Sequence, residues 1–125
     1  MMLLLSERFE SEADLPKGWE DGVLRYCEVV GIEVQGRGLE GVFLDCTFAR
    51  CKWYWSLFNT ATLVGVTFRQ CDFAGVSFAG CRFVECRFEA CTFSNDAFGK
   101  PCSFSGSTWH GYSLIDTEQP EGWLH

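Results

Sequence analysis

The sequence predicts an all-β solenoid, a chain of very short strands that coils around its own side chains. Three observations carry this reading. Large apolar residues recur at every fifth position, from Phe43 through Phe48, Trp53, Phe58, Leu63, Phe68, Phe73, Phe78, Phe83, Phe88 and Phe93 to Phe98. The residue two before each is usually small, as at Gly41, Cys46, Cys51, Ser56, Ala61, Cys71, Cys81, Cys86 and Cys91. Neither regular element accepts a five-residue period in straight form. On an α-helix, residues five apart lie about 140° apart and the aromatics would smear around the axis. On a straight strand they would alternate between opposite faces. A very short strand satisfies the spacing if the small residue and the aromatic both point inward and a corner follows.

The elements follow in order. Residues 1–22, rich in Glu and Asp, are expected to cap the N-terminal end. Leu24, Val29, Val34 and Leu39 keep the five-residue phase, with Gly22, Cys27 and Ile32 two before the first three, so one irregular coil is expected there. A four-residue step then joins Leu39 to Phe43. After Phe98, one inserted residue near Pro101 is expected before the series resumes at Phe104, Trp109 and Leu114. The coiled region is therefore placed at 23–116, within one domain. Residues 117–125, containing Pro120, Trp123 and Leu124, are expected as a C-terminal cap or tail. Caps are needed because an open coil presents unpaired strand edges.

Segments such as Cys71-Asp72-Phe73-Ala74-Gly75 and Cys81-Arg82-Phe83-Val84-Glu85 resemble the pentapeptide-repeat proteins. The resemblance covers Gly41 to about Asp116. It implies a right-handed quadrilateral parallel β-helix in which four pentapeptides make one square coil, giving about four to five coils with terminal caps. Residues about twenty apart should then stack, so that Phe48, Phe68, Phe88 and Trp109 form one inner ladder and Trp53, Phe73, Phe93 and Leu114 another. The resemblance says less about function, since family members include DNA mimics that act on type II topoisomerases.

All of the eight cysteines except Cys27 fall in the small inward register of the main series, and Cys27 fits the first coil. They read as small buried hydrophobes. Their spacing is set by the repeat and lacks the His partners of zinc sites, so no metal is expected. Disulfides are not expected in a reducing compartment. Met1 to Leu5 has no preceding basic region, and no segment reaches the roughly 20 apolar residues that span a bilayer. A cytoplasmic, bacterial protein with no membrane contact is the expectation.

Catalysis has little to draw on. The two histidines, His110 and His125, belong to no triad, and no phosphate-binding glycine loop is present. No enzyme and no cofactor are expected. The net charge of −7 invites a DNA-mimic reading. Between Gly41 and Asp116, however, Asp45, Asp72, Glu85, Glu89, Asp96 and Asp116 are balanced by Arg50, Lys52, Arg69, Arg82, Arg87 and Lys100. A mimic of duplex DNA would need on the order of a dozen uncompensated acids along a body of this length. No basic stripe supports direct nucleic-acid binding.

Outward apolar residues are more informative. In Trp53-Tyr54-Trp55-Ser56-Leu57 only Trp53 fills an inward slot, leaving Tyr54, Trp55 and Leu57 at a corner. Stacking also places Leu44, Val64 and Val84 one above another on an outer face. Such groups anchor protein interfaces. Alternatively, the run Met1 to Leu5, or Trp123 and Leu124, folds back over them. The expected function is a non-enzymatic protein–protein interaction module that uses the outer wall of a rigid β-helix. Its partner is another protein of unknown identity, and self-association is a further reading. The alternatives are a DNA-mimic modulator of a type II topoisomerase (gyrase), and a bacterial toxin-immunity or secretion-adaptor protein.

Overall fold

Each five-residue repeat folds as one short strand and one corner in a computed structural model that describes residues 2–120. In Thr47–Ala49, for example, Phe48 points inward while Thr47 and Ala49 face outward. The corner residue adopts the left-handed conformation, with φ of 51° at Asp45, 53° at Arg50, 54° at Trp55 and 57° at Thr60, and glycine at Gly65, Gly75 and Gly80. For a non-glycine residue this costs roughly 1–2 kcal/mol. Backbone hydrogen bonds to the next coil offset it: the N–H groups of Asp45, Arg50 and Trp55 donate to the carbonyls of Val64, Arg69 and Ala74 at 2.8, 2.8 and 3.1 Å.

The strands stack into four walls of a right-handed quadrilateral parallel β-helix of about five coils. The first wall is built from Leu3–Leu5, Val23–Arg25, Val42–Leu44, Thr62–Val64 and the first halves of Arg82–Glu89 and Thr108–Ile115. The second contains Arg8–Phe9, Glu28–Val30, Thr47–Ala49, Thr67–Arg69 and the second halves of the same two long strands. Glu33–Gln35, Lys52–Tyr54, Asp72–Ala74 and Thr92–Ser94 make the third. Gly38–Leu39, Leu57–Asn59 and Ser77–Ala79 make the fourth, which a bridge from Ser77 to Ser103 extends.

Inside, aromatic rings stack along each wall and meet edge-on across corners. Phe48 and Phe68 are stacked at 5.3 Å, and Phe68 and Phe88 at 5.0 Å. Phe68 meets Phe73 edge-on at 5.4 Å. These rings are fully buried, and each removes enough apolar surface from water to contribute about 2–3 kcal/mol. The four-residue step after Leu39 brings Gly41 against the preceding coil. A Cβ at Gly41 would lie 2.5 Å from the Gly22 carbonyl oxygen, so only glycine fits there.

Coiling begins before residue 23. Leu3–Leu5 and Arg8–Phe9 pair in parallel with Val23–Arg25 and Glu28–Val30, adding half a coil from within the segment expected as a cap. Two 3-10 turns, Glu12–Asp14 and Trp19–Asp21, complete that coil and bury Leu15 and Trp19. The five-residue phase was already present in Leu4, Phe9, Trp19 and Leu24, with Leu15 one residue late.

Near the other end the expected phase is corrected. Phe98 does not point inward: it is 84% exposed. The position two before it is Asp96, and a carboxylate cannot take the small inward slot without losing its hydration. Residues 95–101 loop out instead, and Phe104 takes the place over Phe78, 5.2 Å away and 4° from parallel. The shift therefore spans six residues, since Phe78 to Phe104 is 26 positions where Phe58 to Phe78 is 20. The ladders change accordingly. Trp109 stacks on Phe83 and Leu114 pairs with Phe88, while the ladder of Trp53 and Phe73 ends at Phe93.

Candidate interaction surfaces

The described residues offer no concentrated chemistry. No group of His, Cys, Asp and Glu side chains among them is placed to hold a metal ion, and no helix is long and apolar enough to cross a membrane. The cysteines are buried free thiols. Burial pushes Cys46, Cys81 and Cys86 up to about 11, which holds them as neutral thiols. His110 is exposed on the first wall beside Val84.

The two outward apolar clusters exist but lie on different walls. Leu44, Val64 and Val84 are in register on the first wall, each partly exposed. Leu3 and Leu5, 59% and 52% exposed, continue this surface, and Val23 and Val42 widen it. The run that includes Leu3–Leu5 therefore extends the apolar surface as the wall's first strand; it does not fold over it. Trp123 and Leu124 lie outside the described residues.

Tyr54, Trp55 and Leu57 occupy the third wall, the corner after it and the fourth wall. The outward loop packs against this corner. Trp55 meets Tyr54 edge-on at 5.0 Å. The Ala97 N–H donates to the Tyr54 hydroxyl at 3.1 Å. Asp96 Oδ1 accepts from the N–H groups of Phe98 and Lys100 at 2.8 and 2.9 Å. These bonds, that from Lys100 foremost, hold the Asp96 carboxyl below its ordinary value. Trp55, Leu57, Phe98 and Lys100 border a shallow groove of about 390 Å3. Phe98 escaped the sequence reading because its five-residue spacing was intact; the signal against it was Asp96.

Charge on the outer walls is largely paired. Glu89 binds Arg69 at 2.9 Å and Arg87 at 3.0 Å, and Arg8 binds Glu10 at 2.8 Å and Glu28 at 2.7 Å. No row of uncompensated carboxylates runs along the coil body.

Known proteins fit this architecture. A family model described as pentapeptide repeats matches residues 41–92 in nine copies. A pentapeptide repeat protein, Rfr23, from the cyanobacterium Cyanothece 51142 superposes with a TM-score of 0.65 at 10% identity, covering 93% of this chain and 83% of that one. A trypsin-treated form of QnrB1, a plasmid-mediated fluoroquinolone resistance protein, superposes with a TM-score of 0.53 at 17% identity, covering 93% of this chain and 55% of that one. At such identities the likeness is one of fold. No curated protein matches by sequence.

Proposed function

The chain is a pentapeptide-repeat protein, and on that premise we propose that it acts as a non-enzymatic protein-interaction module whose working surfaces are its outer walls. One observation carries the reading. At a single corner Trp55, Leu57 and Phe98 are 39%, 41% and 84% exposed, on a scaffold whose corners are bonded coil to coil. Large apolar groups held rigidly in water lose little conformational freedom on binding, which is why aromatic anchors dominate interface energetics. The paired charges of the coil body favour this reading over DNA mimicry, which needs an uncompensated row of acids.

The test is affinity capture from a lysate of the source organism at low and moderate salt, with Trp55→Asp in parallel. A protein partner that is retained in moderate salt and lost with Trp55→Asp supports the module. A topoisomerase captured only at low salt, equally by both forms, overturns it in favour of acidic mimicry.

A further inference from the structure

Parallel sheets are almost always covered on both faces. The first wall has the core on one side and an apolar surface, with Leu3, Leu5, Leu44, Val64 and Val84, on the other. The charges on it are arranged in an informative way. Four of the arginines, Arg8, Arg37, Arg69 and Arg87, have carboxylate partners within the chain. Arg25 and Arg82, the two arginines of this wall, have none among the described residues; Arg25 rests only against Tyr26, 4.9 Å from its ring centre. At the wall's two borders stand Asp21 and Glu85, exposed carboxylates also without an ion pair among the described residues. Asp21 lies in the row of Arg25 on the opposite border, and Glu85 in the row of Arg82 on the opposite border.

We propose that the first wall is the interface of a homodimer, with a second copy of this chain packed wall to wall about a two-fold axis parallel to the solenoid axis. Such an axis exchanges the left and right borders while keeping each row opposite itself. It brings Arg25 to the partner's Asp21 and Arg82 to the partner's Glu85. It also sets the exposed Leu3 against the partner's Leu5, and Leu44 against the partner's Val42. The wall thus carries its own complement, as an isologous interface must. An antiparallel arrangement would instead put Leu3 and Leu5 against the partner's Thr108 and His110, matching apolar rows to polar ones. The wall is narrow, about 10 Å wide and some 24 Å long from first row to last. Its area falls below that of a standard stable interface, so the dimer is weak, with dissociation in the micromolar range or above.

This inference rests on the reading that the outer walls make protein contacts. Sedimentation velocity of the full chain from micromolar to submillimolar concentration tests it, alongside Val64→Asp, with circular dichroism to confirm that the variant is folded. The expected result is a reversible monomer–dimer equilibrium that Val64→Asp weakens on the order of tenfold or more, because a charge is buried without a partner. Leu5→Cys adds a geometric readout independent of that variant. The native cysteines are all buried, so the new thiol is the exposed one. In the proposed dimer two such thiols lie within roughly 10 Å and a short bismaleimide joins them; in the antiparallel arrangement they are roughly 24 Å apart and it does not. A chain that stays monomeric at every concentration, a dimer indifferent to Val64→Asp, or a wall-dependent dimer without the Leu5→Cys crosslink overturns the proposal. A monomer that still captures a partner through Trp55 would overturn the dimer alone and leave the interaction module standing.

Discussion

Phe98 lies nearly flat over Trp55, their ring centroids 5.8 Å apart and their planes 21° from parallel. One side chain comes from the loop that interrupts the repeat and the other from a corner two coils earlier in the fold's growth. Their contact depends on Asp96, which gathers the loop by accepting from the Phe98 and Lys100 N–H groups.

Asp96→Ala is therefore expected to release the loop without unfolding the coil. Trp55 should become more accessible, read as stronger acrylamide quenching and a red-shifted emission, while the far-ultraviolet spectrum is unchanged. Acid should act in the same direction. The Asp96 carboxyl is held below its ordinary value, so its contribution to docking is present above the unfolded value near 4 and is lost as pH falls through the lowered one. Unchanged quenching in Asp96→Ala would mean that packing alone positions the loop.

Phe73 is fully buried and touches Trp53, Phe68, Phe78, Phe88 and Phe93. Strands above and below fix the cavity walls, so the site cannot collapse, and Phe73→Ala should cost about 3–5 kcal/mol in denaturant unfolding. Phe98→Ala, on the exposed loop, should change stability by less than about 0.5 kcal/mol. Similar losses for the two would contradict the corrected phase.

Trp53 is buried with no partner for its indole N–H among the described residues, between positions that hold Val34 and Phe73 in the same column. Trp53→Phe removes an unsatisfied donor and some apolar area, two effects of opposite sign. Thermal unfolding should place it within about 1 kcal/mol of the parent. A loss as large as that of Phe73→Ala would show that the indole makes a bond.

Alkali should destabilise the fold. Burial raises Cys46, Cys81 and Cys86 to about 11, so the unfolded chain releases these protons first as pH passes about 9. Above that point the unfolded state binds fewer protons than the folded one, and stability falls by about 1.4 kcal/mol per pH unit for each thiol until the folded values are reached. Denaturant midpoints measured across this range, with Cys86→Ala to reduce the slope, check the sign and the size.

The repeat made most of the coil legible. Alternation of Cys71, Phe73, Val76 and Phe78 dictates which side chains point inward, because the strand's two-residue period leaves no other choice. Leu44, Val64 and Val84 were placed in one row by twenty-residue stacking alone, and they stand in register. The N-terminal half-coil was present but obscured by Leu15, which sits one residue out of phase. Phe98 misled because spacing was weighed without the charge of Asp96.

What the sequence by itself determined is the solenoid: a five-residue period is a local property, repeated often enough that errors in one repeat do not spread to the next. What only the tertiary structure decided is the surface. Whether Phe98 faces the core or caps Trp55, and whether Leu3 and Leu5 shield the first wall or extend it, depends on contacts between residues far apart in the chain. Those contacts turn on where the loop at 95–101 docks and where the first strand pairs, and neither is encoded in a period.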